Sequence, residues 1–387
     1  MKRVFVIGVG LTKFGKHEHL STRDLFFHAS KKAIADAKID INDVDGIYFG
    51  NLSSDRFEHQ AHTAAINASN FSSRNFPSTR IEDACASGGV AVAQAYLAIK
   101  SGLHDTILVG GAEKMTNLST PEVTDVLGTC ADNIFELPHG ITFPGLYALM
   151  ARAHMHKYGT TKEHLSMVAV KNHFNALKNP YAQFHKEITL EKAMNSVIVS
   201  DPLNLYDCSP ITDGGAALIL TTEEKIKNLD VTPVEIVGVG QASDSISLAN
   251  RKSLTSIEAN KIASKRAYNM AEITPKNIDV AEVHDCFTIA EIITTEDLGF
   301  FEEGKGGKAV EEGITSIDGD LPINTDGGLK AKGHPIGATG VAQIIELVHQ
   351  IRGTAGDRQL NGVKYGLAQN MGGSGATSVV HILKEVD

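Results

Sequence analysis

The chain has 387 residues, 42% of them hydrophobic, and a formal net charge of −10. That is ample for a large core in more than one domain, and the acidic balance argues against wholesale binding to nucleic acid or to a membrane surface. Four cysteines, at 85, 130, 208 and 286, show no CxxC spacing. Neither a disulfide framework nor a structural zinc site is expected from them, and the compartment reads as reducing.

The opening Val4-Phe-Val-Ile-Gly-Val-Gly10 is apolar and β-branched, but short, broken by glycine and followed by Lys13 and Lys16. It reads as a buried first strand, not as a signal peptide. No apolar run approaches membrane-spanning length, and the last residues, Lys-Glu-Val-Asp387, are not a peroxisomal address. A soluble cytoplasmic protein is expected. A helix follows, with Ser21-Thr22 as its N-cap and Leu25, Ala29, Ala33 and Ala37 on one side, then a strand over 45–50.

Next comes Ile81-Glu-Asp-Ala-Cys85-Ala-Ser-Gly-Gly-Val90. An extended, proline-punctuated stretch precedes it, and Val90 to Ile99 is almost wholly apolar, which predicts a helix buried on every side. Cys85 then lies on a tight turn where a strand feeds a helix. The unpaired N–H groups of a helix N-terminus favour thiolate over thiol, so Cys85 is either a nucleophile or a small buried cysteine.

The beginning of the chain is restated later. Val234-Glu-Ile-Val-Gly-Val-Gly240 repeats Val4 to Gly10, and Ala263-Ser-Lys-Arg-Ala to Ile273 repeats Ala29-Ser-Lys-Lys-Ala to Ile39. Gly340-Val-Ala echoes Gly89-Val-Ala, and Gly373 to Val380 parallels Asp213 to Leu220. Matches in the same order predict a duplicated domain, each half a mostly parallel sheet with helices packed on it. The N-terminal half comprises 1–115 and 201–228, the C-terminal half 229–387, and 116–200 is an insertion with no counterpart. The insertion is largely helical from Leu146 to Asn175. Into it crowd Arg152, His154, His156, Lys157, Lys162, His164, Lys171, His173 and Lys178, either a solvated helical face or a lid that meets an anionic ligand.

Two further clusters lie at element ends in the second half. One is Glu282-Val-His284-Asp285-Cys286-Phe287, where a strand begun at Asp279 ends. Alternation along that strand would turn His284 and Cys286 to one face and Asp285 away. The other is Lys332-Gly-His334-Pro-Ile-Gly-Ala-Thr-Gly340, opening an apolar helix. The repeat makes His334 the near-counterpart of Cys85, each just before an equivalent buried helix. If the halves face each other about a twofold axis, a cysteine meets a histidine, the activated-nucleophile arrangement. Gly366 to Asn370 is a buried strand running into the loop Met371-Gly372-Gly373-Ser-Gly375, which can aim backbone N–H groups at a ligand oxygen. The phosphate-binding patterns GxGxxG after a first strand and GxxxxGK[ST] are absent.

Asp-Ala-Cys85-Ala-Ser-Gly-Gly, Gly-His334-Pro-Ile-Gly-Ala-Thr-Gly and the terminal glycine loop together resemble the thiolase superfamily over essentially the whole chain. His284-Asp-Cys286-Phe, Tyr158-Gly-Thr-Thr and Val170-Lys-Asn-His-Phe-Asn-Ala176 resemble its sterol-carrier-type and archaeal branch, nearest the archaeal acetoacetyl-CoA thiolases. The resemblance implies a layered α/β/α/β/α fold and reversible condensation of two acetyl-CoA to acetoacetyl-CoA and CoA through an acetyl-cysteine. It implies Cys85 as nucleophile, His334 as its base, and the backbone N–H groups of Cys85 and Gly372 as oxyanion donors. Many thiolases carry a second cysteine in the terminal loop. That position here is Asn370, so Cys286 becomes the expected α-proton base, with His284 and His334 holding the enolate oxygen. CoA is placed against the 116–200 insertion, with Ser209, Phe143 and Gly373 near the substrate, and Cys130 and Cys208 are taken as structural. No metal and no permanently bound cofactor are expected. The resemblance further implies a homodimer or homotetramer, a mevalonate-pathway role, and a possible complex with a hydroxymethylglutaryl-CoA synthase and a small zinc-containing OB-fold protein. Ketoacyl and hydroxymethylglutaryl-CoA synthases share the duplicated fold, but His284-Asp-Cys286 favours a thiolase. A broader-specificity 3-ketoacyl-CoA thiolase and a non-catalytic acyl-CoA-binding scaffold are the alternatives.

Overall fold

The two strands that open the repeat meet at the centre of the molecule. In the computed structural model, which describes residues 2–71, 75–227 and 229–386, β1 (Val4–Leu11) pairs antiparallel with β6 (Val234–Ser243) through Phe5↔Glu235. Position 5 thus faces its own counterpart, which puts the pseudo-twofold axis through this pair. The expected domain boundary at residue 228 lies outside the described residues.

From β1 the N-terminal half extends through β2 (Gly46–Gly50), β3 (Ser78–Ile81), β4 (Thr106–Glu113) and β5 (Gly214–Thr222). From β6 the C-terminal half extends through β7 (Val280–Glu282), β8 (Tyr365–Gly372) and β9 (Thr377–Glu385). The nine strands follow the order β3-β2-β4-β5-β1-β6-β9-β8-β7. Within each half one strand, β5 or β9, runs against all the others.

These strands are apolar on both faces because both faces are covered. Phe5 and Ile7 pack under α1 (Thr22–Asp36), whose N-cap Ser21 forms a capping box with Asp24. Val4, Val6 and Val9 pack on the other side, against α2 (Ser87–Ser101) and α6 (Ile336–Arg352). In the second half α5 (Glu258–Ala271) takes the place of α1 and covers Val380 and Ile382. The result is the layered, duplicated α/β arrangement that the repeat predicts. Helix α2 is not buried on every side, however: Leu97 is 52% exposed.

The middle helices cross at their first turns, and glycine permits it. A Cβ on Gly88 would lie 2.5 Å from the Gly337 carbonyl oxygen, and one on Gly340 would lie 2.4 Å from the Gly89 nitrogen. Glu113, at the end of β4, fastens the crossing by accepting N–H bonds from Leu52, Ser53 and Gly337. Gly340→Ala should therefore force the helices apart. Overpacking of this kind costs about 1–3 kcal/mol, read as a lower denaturation midpoint, and should slow Cys85 acylation, because the same crossing sets the Cys85–His334 separation.

The helical stretch expected over 146–175 of the insertion is present as two helices, α3 (Phe143–Tyr158) and α4 (Lys162–Ala176), broken at Gly159 in the left-handed region. The basic residues crowded there do not form one anion-binding face. His154 is buried against Thr160 and Glu296, and Lys171 pairs with Glu291 and donates to the Ile323 carbonyl. His173 is buried, and desolvation lowers its pKa to about 4. Lys171 and Asn175, one helical turn apart on α4, and Asn179 just beyond its end meet the 323–330 segment, while Asn172 donates to Asp285 and Glu291. Asn175 and Asn179 donate to the carbonyls of Asn324 and Asp326. Most of the conspicuous polar motif in this region is therefore docking chemistry. Arg152, His156 and Lys157 remain exposed on α3.

Candidate active site

Cys85 sits on the turn between β3 and α2. Ala84 before it adopts φ 46°, a strained conformation for a residue with a Cβ, and Ser87 holds it by accepting from Asp83 N–H at 2.9 Å and donating to Ala84 O at 2.6 Å. The expectation of a resting thiolate is not met. Burial pushes the Cys85 thiol well above its ordinary value and the neighbouring Cys286 adds to this, against the backbone N–H groups of Gly373 and of Cys85 itself. Desolvation outweighs the helix terminus here, and the resting group is a thiol.

His334 lies two residues before α6, as Cys85 lies two before α2. The Thr212 hydroxyl accepts its backbone N–H at 3.0 Å. Its Nδ1 contacts the Thr339 hydroxyl at 2.7 Å, and that hydroxyl donates its hydrogen to the Pro335 carbonyl at 3.0 Å. Thr339 must then accept from Nδ1–H, which leaves the lone pair on Nε2. Burial, with Lys332 nearby, lowers the His334 pKa to about 3, so the imidazole is neutral. Lys332 is held by Asp326, and Glu346 beside this pair is held by Arg358 at 2.8 Å.

β7 ends at Glu282, so strand alternation does not place His284 and Cys286. Four other segments do. His284 N–H donates to Gln369 Oε1 at 3.0 Å, and the Asp285 carboxylate accepts from Leu329 N–H at 2.7 Å and from Asn172 Nδ2 at 2.7 Å. Ser209 N–H donates to the Cys286 carbonyl at 2.9 Å. The His284 and His334 rings meet edge to face with centroids 5.0 Å apart. The Cys85 sulfur and one nitrogen from each histidine all lie within 4.8 Å of one another. These donors come from three distant segments, which the spacing argument against a metal site does not reach. Cys286 stands outside that trio, among Tyr147 and Cys208. Burial pushes its thiol up to about 12 while the Tyr147 hydroxyl pulls it down.

Two residues in this site escaped the sequence reading. Asn370 was read only as a missing cysteine, yet its side-chain amide reaches the Cys85 carbonyl and His284 Nδ1, both at 3.0 Å. An amide in an otherwise apolar buried strand is the signal that could have marked it. Tyr147 looks like ordinary helix core, but its hydroxyl donates to the Gly373 carbonyl at 3.1 Å and its ring stacks on Phe287 at 4.5 Å.

Gly372 ends β8, and Gly373 turns away in the left-handed region with Phe143 close by. Both glycines line a cleft of about 460 Å³ together with Ala84 and Cys130. Ser209 lines a separate cavity of about 280 Å³, with Cys208, His173, Tyr206 and Lys330.

A thiol within reach of a neutral imidazole, with backbone donors at the sulfur, is the site of an acyl-transfer protein that works through a cysteine. The chain belongs to the thiolase family: the thiolase N-terminal domain matches residues 4–224 and the thiolase C-terminal domain-like family matches 240–385. It is 49% identical over 382 residues to the acetyl-CoA acetyltransferase of Methanothermobacter thermautotrophicus, covering 99% of each chain. It is 46% identical over 395 residues to the acetyl-CoA acetyltransferase of Methanocaldococcus jannaschii, covering 100% of each. Among solved structures, the Ltp2-ChsH2(DUF35) aldolase superposes with a TM-score of 0.86 at 27% identity, covering 99% of this chain and 98% of that one.

Proposed function

We infer that this protein is an acetyl-CoA C-acetyltransferase that interconverts two acetyl-CoA with acetoacetyl-CoA and CoA. The observation that carries the reading is the convergence of Cys85, His284 and His334 on one point, in a chain nearly half identical to acetyl-CoA acetyltransferases over its full length.

The proton inventory closes with the groups present. Cys85 attacks the thioester carbonyl as its proton passes to His334 Nε2. Cys286, a thiol at rest, protonates the departing CoA sulfur and is left as a thiolate. That thiolate removes the α-proton of the second acetyl-CoA, and His284 donates to the enolate oxygen. The enolate carbon attacks the acetyl group on Cys85, and the freed Cys85 sulfur recovers its proton from His334. The raised Cys286 pKa suits both tasks, acid first and base second. The backbone N–H groups of Cys85 and of the Gly372–Gly373 turn stabilise the tetrahedral oxyanion. The cavity at Ser209, walled in part by residues of the insertion, supports placing CoA there.

The direct test is to supply acetoacetyl-CoA and CoA and measure acetyl-CoA. No product would sink the reading, and equal turnover of long 3-ketoacyl-CoAs would favour a broader thiolase. A pH profile gives a second check. Because the His334 pKa is lowered, its lone pair persists to lower pH than that of a free imidazole. Cys85 acetylation should stay level as pH falls through 6.5 toward 5, and a fall centred near 6.5 would mean that His334 titrates as an exposed histidine.

Among the described residues no helix is long and apolar enough to cross a membrane. The likeness to the Ltp2-ChsH2(DUF35) aldolase supports assembly with a partner protein. Supply of acetoacetyl-CoA to a hydroxymethylglutaryl-CoA synthase in isoprenoid synthesis would draw the unfavourable condensation forward.

A further inference from the structure

We propose that Asn370 is a positioning residue that fixes the proton of His284 on Nε2, so that the two active-site histidines are held in opposite tautomers. The proposal deepens the acetyltransferase reading and rests on it for its catalytic consequence, though not for the tautomer itself.

The orientation of the Asn370 amide follows from partners whose polarity is not in question. Gly89 N–H can only donate, and it lies 3.2 Å from Oδ1. The Cys85 carbonyl can only accept, and it lies 3.0 Å from Nδ2. Oxygen and nitrogen are thereby assigned without reference to histidine. Nδ2 has a second hydrogen, and the atom 3.0 Å away along it is His284 Nδ1. An amide nitrogen cannot accept, so Nδ1 must, and a neutral imidazole that accepts at Nδ1 carries its proton on Nε2.

The opposite end of the ring bears this out. His284 is fully buried, and its Nε2 has no partner among the described residues. A buried N–H without a partner is costly, so such a group persists where a ligand oxygen completes it. The His284 and His334 rings meet edge to face beside the Cys85 sulfur, and with Nδ1 engaged by Asn370 it is Nε2 that is left for a ligand. His334 has the reverse arrangement: Thr339 accepts Nδ1–H, and Nε2 has no hydrogen-bond partner among the described residues. One histidine is thus prepared to receive the proton of Cys85, the other to donate to an oxygen that gains charge. The same Asn370 amide holds the Cys85 carbonyl, which couples the nucleophile turn to the donor.

The position explains why a purely structural side chain would not serve. An aspartate at 370 could still accept from Gly89, but it has no hydrogen to offer His284 Nδ1. The imidazole would have to turn its proton inward to meet the carboxylate, and the cavity would lose its donor.

The full-length protein, labelled with 15N-histidine, tests this directly. Long-range 1H–15N correlation separates the two neutral tautomers, and His284→Gln identifies the resonance. The expected result for wild type is an Nε2–H imidazole at His284 and an Nδ1–H imidazole at His334. An Nδ1–H imidazole at His284 overturns the proposal whatever the activity. In Asn370→Asp, His284 should become protonated at Nδ1, and condensation should fall by roughly 100-fold or more, the usual loss for one oxyanion donor. Cys85 acetylation should fall much less. Retention of the Nε2–H form in that variant also overturns the proposal. If Asn370→Asp does not fold, the wild-type spectrum still decides. A further cycle separates positioning from mere packing: with His284→Asn, whose amide donates without a tautomer, Asn370→Asp should cost at least ten times less in condensation than it does beside His284. Equal costs in both backgrounds would mean that Asn370 acts by packing alone. Failure of the protein to acetylate Cys85 at all would sink the acetyltransferase reading and leave the tautomer result standing.

Discussion

Brief incubation with acetyl-CoA, acid quench and peptide mass analysis should find the acetyl group on the peptide that contains Cys85. All four cysteines are free thiols, so the experiment has three internal competitors. Cys286 is the closest in character, and burial keeps it a thiol at rest as it does Cys85, but it stands outside the Cys85–His284–His334 group. Cys208 is tied to the Asn204 carbonyl, and burial raises its thiol to about 11. Cys130 lines the cleft near Gly373, and burial, with Cys85 adding to it, raises its thiol. Among the described residues Cys85 is the cysteine grouped with His334, a neutral imidazole whose Nδ1 is engaged by Thr339. Cys85→Ser should therefore abolish acetylation and condensation together. Acetyl found on Cys130, Cys208 or Cys286 alone would overturn the assignment of the nucleophile.

That Cys85 and His334 belong together was legible because the chain states its architecture twice. A repeated strand gives a self-pairing position, Phe5↔Glu235, and equivalent helices bring the residues before them to one point. Other features were hidden for identifiable reasons. Thiolate character was overestimated because a helix end is visible in sequence and the depth of burial is not. The choice between a solvated face and a basic lid stayed open for the insertion because composition does not say that Lys171 faces Glu291 or that His154 faces Glu296. His284 and Cys286 do flank a residue that points elsewhere, but loop contacts with Gln369, Leu329 and Ser209 arrange them, not the pleat of a strand. Asn370 was invisible as a tether, since its three partners lie near positions 85, 89 and 284 and no local pattern joins them.

Cys286→Ser should separate the two halves of the reaction. The acetylation half needs a nucleophile, His334 and an acid for the leaving CoA thiolate. A thiolate with the ordinary pKa of a free thiol leaves with little help, so loss of that acid costs little. Transfer of acetyl to Cys85 should stay within about tenfold of wild type. The condensation half has no such latitude. An α-carbon beside a thioester gives up its proton only to a strong, well-placed base. His334 holds the proton taken from Cys85, and His284 accepts on Nδ1 from Asn370, which leaves its Nε2 as a donor. Asn370 itself has no basic atom. Serine in place of Cys286 is a far weaker acid, so it would not be left as an alkoxide when CoA departs, and no base remains. Condensation and thiolysis should fall by about 10²–10⁴-fold, the range for a lost general base, while the acetyl-Cys85 form accumulates and is visible by mass. Tyr147 and Phe287 frame the site and are not altered, so a large loss of folding stability is not expected. Near-normal condensation by Cys286→Ser would show that Cys286 is not the base and would hand that task to His284 or His334.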